Sequence, residues 1–280
     1  MKKAIILILA LAAAASCTQG PEQKVMARFV PERADDFIFE NDLICGRFYG
    51  KALEGNPTSP GIDIWVKTPG ELVANQRYKD ELENGLSYHI DRGNGKDCYK
   101  VAVSLGGGAS SPIVDGALCL PPTNYREWEI VSEEPGKVVF TLRYPAWQAG
   151  QASVSLSKTI TVTAGTYWCD VEDVYSFEGA ETLDIAAGFI RHDITEETSW
   201  ATGMAIWEHA SDQSVEPEDG MIGVAVRMEE PDAITLTADG AHSVAVKSIH
   251  SGEAVHYSYA SCWSKGNIKT AGDWFAYVTQ

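Results

Sequence analysis

The sequence predicts an all-β protein, an antiparallel β-sandwich with few short helices, and three observations carry that prediction. From residue 125 onward, short runs rich in Val, Ile, Thr and aromatics alternate apolar with polar side chains. Gly or Pro turns separate these runs at close, regular spacing. No amphipathic helical stretch lies between them, which argues against parallel crossovers and for antiparallel sheets stacked on one core.

The elements follow in order. Residues 1–16 read as a signal peptide: Lys2-Lys3, an apolar run over 4–15 too short to span a bilayer, then Ser16-Cys17. This ending resembles a bacterial lipoprotein signal, which would make Cys17 the lipidated first residue. Residues 17–35 read as a polar tether, and 36–280 as a single domain without repeats or internal linkers. An alternating run covers 37–49, a short strand 61–65, and mixed signals over 71–86 suggest a short helix. Strands are then expected at 128–132, 137–144, 152–163, 167–177, 183–190, 203–208, 221–228, 233–237, 242–249 and 254–263, with a closing helix at 270–279.

The formal net charge is −17, and loss of Lys2 and Lys3 with the signal makes it two units more negative. Such a surface repels phosphate backbones, so nucleic acid is excluded as a partner. An acidic glycan would need a local Arg or Lys cluster. Cys45, Cys98, Cys119, Cys169 and Cys262 form no CxxC and match no zinc spacing; they read as buried small hydrophobes. There is no nucleophile elbow, HExxH, Walker loop or dinucleotide fingerprint, and nothing calls for a cofactor.

The stretch 86–108, LSYHIDRGNGKDCYKVAVSLGGG, is the densest in chemistry. It reads as a strand, a turn over 91–95, a second strand over 99–105 and a triple glycine. On a strand His89 and Asp91 share a face, so the carboxylate would orient the imidazole as a base. Three readings stand: a base or sugar contact, a metal pair completed by Asp97, or a surface histidine. Tyr99 is a candidate acid for a leaving oxygen, or else a core phenol. Arg191 and His192, where a strand runs out, suit a carboxylate clamp and a second acid or base, or a strand-end ion pair. Arg47 sits inside an apolar run and needs a partner, with Glu40 or Asp42 at hand. Trp65, Trp207 and Trp263 are candidate platforms for sugar faces, and Lys265 a cation beside a cleft.

Two resemblances add to this. The segment LRYPAW…VSLSKTITVTAGTYWCDVEDVY, with its turn Thr163-Ala164-Gly165-Thr166, resembles the galactose-mutarotase-like supersandwich. The set PERADDFIFEND…RFYG, GIDIW, YHIDRGNGKDCYKVAVSLGGG and CWSKGNI resembles DUF4861, a Bacteroidetes lipoprotein family of unknown function. That resemblance implies a glycan context beside polysaccharide-degrading enzymes, and no reaction. Two functions are therefore expected. One is a lyase on uronic-acid glycans, with Arg191 or Arg47 neutralising the carboxylate, His89 as base and Tyr99 as acid. The other is a non-catalytic glycan-binding lipoprotein using an open sheet face. Both place a glycan as partner and the cell envelope as location, with membrane contact through the lipid alone and the periplasmic face favoured.

Overall fold

The alternation of the sequence becomes three antiparallel sheets. The computed structural model describes residues 22–55, 59–210 and 218–280. In chain order the elements are β1 (Val25–Val30), β2 (Asp36–Asn41), β3 (Cys45–Phe48), β4 (Asp63–Lys67), helix α1 (Ala74–Asn84), β5 (Gly95–Asp97), β6 (Ser110–Val114) and β7 (Ala117–Leu118). Next come β8 (Glu127–Glu134), β9 (Lys137–Ala149), β10 (Ala152–Thr163), β11 (Trp168–Glu178), β12 (Leu183–Ile190), β13 (Ile194–Trp200) and β14 (Gly203–His209). The chain closes with β15 (Met221–Met228), β16 (Ala233–Leu236), β17 (His242–Ile249), β18 (Ala254–Trp263) and helix α2 (Ala271–Val278).

Strands β1 to β5 form one five-stranded sheet in sequence order. An eight-stranded sheet runs β13-β14-β15-β18-β11-β10-β9-β8, and a second five-stranded sheet runs β16-β17-β12-β6-β7. On the large sheet Phe140, Ile160, Val171 and Tyr257 are cross-strand neighbours and all buried. The Phe37 and Phe39 rings of β2 lie 4.6 and 5.7 Å from Phe140. Ile185, Phe189 and Val244 of the other small sheet join the same core cluster. Both small sheets therefore cover one face of the large sheet. Because side chains alternate across a strand, the opposite face carries the polar half of the same pattern.

Each helix is held by a specific contact. Helix α1 lacks a capping side chain of its own; the Glu40 carboxylate of β2 accepts from the amides of Val73 and Ala74 instead. Glu40 also binds Lys67 Nζ at 2.7 Å, so it is not the partner of Arg47. Helix α2 is capped by Thr270 and covers one end of the large sheet's outer face. Its buried Trp274 lies against Gly223, where an added Cβ would come within 2.8 Å of the indole ring.

The ten strands expected beyond residue 125 and both helices are present, with small shifts at their ends. Four expectations need correction. β1 lies inside the stretch read as a tether. The run over 37–49 is two strands, because Asn41 Oδ1 accepts from the amides of Leu43 and Ile44 and turns the chain. β13, ITEETSW, is a polar edge strand whose composition gives little alternation. Finally, 86–108 is loop except for β5. Its triple glycine faces protein, not a ligand: a Cβ on Gly107 would overlap Ile64, and one on Gly108 would overlap Tyr259. The signal peptide and Cys17 lie outside the described residues.

Polar groups also pin the layers together. Lys158 and Asp173 are cross-strand neighbours on the buried face, joined at 2.6 Å. Lys158 also donates to Tyr257 Oη at 2.8 Å, and Ser110 of the small sheet donates to Asp173. Burial pulls the Lys158 pKa down while Asp173 opposes it. Removing one charge strands the other in the core. Lys158→Met should therefore cost ~3–5 kcal/mol in urea unfolding, and adding Asp173→Leu should restore more than half of that loss. A single variant as stable as the parent would show that the pair holds nothing.

Candidate functional site

The open face of the eight-stranded sheet carries a groove of about 630 Å³. Register builds it. Thr159, Glu172 and His256 are aligned across β10, β11 and β18, and Thr161, Asp170, Ser258 and Arg227 form a parallel row across β10, β11, β18 and β15. All seven line the groove. Ser258 Oγ donates to Asp170 Oδ1 at 2.8 Å, and the Arg227 guanidinium lies 4.2 Å over the Trp168 ring. That stacking fixes Arg227 at low entropic cost. Glu172 and His256 face each other at 3.9 Å, both about half exposed. With inter-strand spacings of about 4.8 Å, the rows cross roughly 14 Å of sheet. Asp170, Glu172 and Glu229 outnumber Arg227, so the groove is acidic, and hydroxyls fill the space between its charges.

None of these seven residues was singled out from the sequence. Their alternation was legible, but the register that aligns them is set by pairings between distant strands. The residues that were singled out lie elsewhere.

Arg47 and Asp97 do come together, but as structure. Arg47 is fully buried, with Nη2 2.5 Å from Asp63 Oδ2 and 2.8 Å from Asp97 Oδ2, and Nη1 3.7 Å from Asp36. Burial works against its charge, yet Asp63 and Asp97 outweigh it and hold the guanidinium protonated. Trp65, Tyr49 and Tyr88 pack around it, with Trp65 4.9 Å from the guanidinium and only 1% exposed. Arg47 has no donor to offer a uronate, and Trp65 no face to offer a sugar. His89 lies on a turn, so it does not share a strand face with Asp91; its Nδ1 is 3.0 Å from the Asp97 carbonyl oxygen. Asp91 instead accepts from the amides of Gly93 and Gly95 and stands 3.8 Å from Lys265.

Tyr99 and His192 meet edge to face at 5.1 Å. Tyr99 is 1% exposed, which keeps its hydroxyl from solvent, and burial drives its pKa well above that of a free phenol. His192 bonds Glu208 and the Lys100 carbonyl at 3.0 and 2.9 Å. Arg191 binds Glu197 and Ser243 away from that pair. Trp207 and Trp263 are 4% and 3% exposed and serve the core; Lys265 Nζ stands 5.1 Å over the Trp263 ring. Of the lyase set, Arg47 and His89 meet on Asp97, at 2.8 and 3.7 Å from its Oδ2, but Arg47 and Tyr99 are buried and Arg191 is bound to Glu197. Among the described residues no three His, Cys, Asp or Glu side chains are grouped to hold a metal, and no helix is long and apolar enough to cross a membrane. Of the five cysteines among the described residues four are buried, and none is in a disulfide there.

The family model for DUF4861, a domain of unknown function, matches residues 13–280. The chain belongs to the DUF4861 family. It is 27% identical over 272 residues to Uncharacterized protein P7 of Formosa agariphila, covering 91% of this chain and 66% of that protein. It thus spans just under two thirds of that relative's length. Among solved structures, a putative kojibiose phosphorylase from the human microbiome aligns at TM-score 0.36 and 10% identity, covering 51% of this chain and 20% of that one. A likeness that slight carries no conclusion.

The Arg47 cluster gives this DUF4861 domain a pH signature. The Asp63 carboxyl is pushed up to about 7 by burial and by Asp97, against the pull of Arg47. Asp36 is pushed up to about 6 by burial, against Arg47 and Arg33. Among the described residues the Asp63 Oδ1 atom has no hydrogen-bond partner, which leaves a place for the proton. A carboxyl with a folded pKa above its unfolded value stabilises fully at low pH, and that contribution is lost as pH rises through the folded value. The melting temperature should therefore fall from about pH 4, where the unfolded carboxyls begin to ionise, to about pH 7, and Asp63→Asn, neutral throughout, should flatten the fall. Equal slopes in both proteins would remove Asp63 from the account.

Proposed function

We propose that this protein binds an uncharged saccharide chain along the groove of its eight-stranded sheet, as a glycan-binding accessory of the cell envelope held by a lipid on Cys17. The observation that carries the reading is the pair of aligned polar rows, Thr159-Glu172-His256 and Thr161-Asp170-Ser258-Arg227, on an open face. Carboxylates accept from sugar hydroxyls, and threonine and serine hydroxyls both donate and accept. The long, shallow shape suits an extended chain better than a single enclosed small molecule. Its acidic lining disfavours uronates, because Arg227 is outnumbered and stacked on Trp168. A lyase reading finds no unpaired cation to neutralise a uronate among the residues first considered for it.

The test is calorimetric titration of the soluble domain with neutral and uronic-acid oligosaccharides, with product analysis on the same mixtures. Neutral chains should bind in the micromolar-to-millimolar range without turnover. Asp170→Ala combined with Arg227→Ala should weaken binding ~10-fold or more, about 1.4 kcal/mol, and His89→Ala should leave it unchanged. Binding that ignores the groove substitutions, or turnover abolished by His89→Ala, would overturn the reading.

A further inference from the structure

A second cleft, of about 590 Å³, opens where the edge of the large sheet meets the edge strand of a small one. One wall comes from β13 and β14, the other from β16 and β17, with Arg191 between them. Leu236, Ser243 and Phe189 form one cross-strand row on the small sheet. At Phe189 that row is core, wholly buried; at Leu236 the same row is 49% exposed. The side chain occupies an inward-facing position, yet protein does not fill the space before it. The sandwich is unsealed along this edge.

The polar side of the cleft is built around Arg191. Its Nη1 donates to Glu197 Oε2 at 2.6 Å and to Ser243 Oγ at 2.8 Å. Among the described residues its Nε and Nη2 have no partner. Arg191 is 20% exposed and Glu197 56%, so the guanidinium is seated and the carboxylate reaches outward. Glu197 is held below its ordinary pKa first by the hydrogen bond from Arg191, against a smaller effect of burial, so it stays ionised at neutral pH. The cleft thus presents unused donors, a carboxylate acceptor and a hydroxyl opposite an apolar wall of Leu236 and Ile234.

A pyranose ring matches that division, with hydroxyls around its rim and C–H groups on its faces. We infer that this cleft is a second saccharide site, taking one uncharged sugar residue, and that Glu197 makes it reject uronates. The inference rests on the saccharide-binding reading above and adds a site and a charge rule to it. A uronate carboxylate would have to approach Arg191 beside an anion already bound to it. The repulsion and the lost pair together oppose entry. With the anion replaced by an amide, the guanidinium becomes free to grip a carboxylate bidentately.

The experiment is nuclear magnetic resonance titration of the soluble domain with D-glucose, D-galactose, D-glucuronate and D-galacturonate. The reporters are the Arg191 Nε–H signal and the amides of Leu236 and Ser243 for the cleft, and the amides of Asp170 and Ser258 for the groove. A neutral sugar should shift the cleft reporters, and those shifts should survive Asp170→Ala with Arg227→Ala. Uronates should leave the cleft reporters still in the parent, and Glu197→Gln should admit them with affinity raised ~10-fold or more. Glu197 is exposed, so this variant tests charge and not folding. Uronates binding the parent cleft as well as neutral sugars would overturn the charge rule. Shifts confined to the groove would overturn the second site alone, and stillness of both sets with every neutral sugar, together with no binding of neutral oligosaccharides by calorimetry, would remove the saccharide reading itself.

Discussion

The molecule depends on one constraint: the antiparallel register of β9, β10, β11, β18 and β15, which shifts only at a bulge between Val154 and Leu156 on the β9 side. A strand turns successive side chains to opposite faces, so a slip of a single residue would exchange core and surface along a whole strand. Here the register places Phe140, Ile160, Val171 and Tyr257 inward in one row. The interleaved residues, among them Thr161, Asp170, Ser258 and Arg227, then have nowhere to go but outward. Core and groove are two consequences of the same pairing. The small sheets have only the apolar face to cover, and α2 covers one end of the other.

That origin explains what was legible. Strands over 137–263 were readable because alternation is local: each run carries its own period-two pattern. What a local pattern cannot carry is which residue of one strand stands beside which residue of another. Glu172 and His256 are far apart in sequence and adjacent in space only because β11 pairs with β18. Arg47 shows the same limit from the other side. That a buried arginine needs a carboxylate was readable; that the carboxylates are Asp63 and Asp97, and not Glu40 or Asp42, depended on the order of β3, β4 and β5. The stretch 86–108 misled because Asp, Asn and Gly punctuate strand turns and plain loops alike.

Chemistry-bearing residues in this fold divide by burial more than by type. Arg47 with Asp36, Asp63 and Asp97, Lys67 with Glu40, and Lys158 with Asp173 are each almost wholly buried and mutually bonded. A charge in such a place is retained by its partner, and removing either one costs far more than the pair contributes. These constellations fix the small sheets, α1 and the layer spacing. The groove residues have looser partners, such as the 3.9 Å gap between Glu172 and His256, and keep contact with solvent. Loose pairing in an open place leaves hydrogen-bonding capacity for another molecule.

The same division sets the sign of the charge a ligand can bring. The chain holds 22 basic against 39 acidic residues, so cations are scarce and mostly committed. Arg47 is enclosed by carboxylates, Arg191 is bound by Glu197, and Arg227 is stacked on Trp168 and flanked by acids. A clamp for an anionic sugar requires a guanidinium whose fork is unoccupied and whose neighbours are not carboxylates. None of these three meets both conditions. Arg191 and Arg227, which reach the surface, supply instead what an uncharged polyol needs: a donor held in place, with an acceptor beside it. The acidic balance, which at the level of composition only argued against polyanions, thus acts at the level of individual arginines. On the proposed reading, the carboxylates beside Arg191 and Arg227 would turn away anionic ligands.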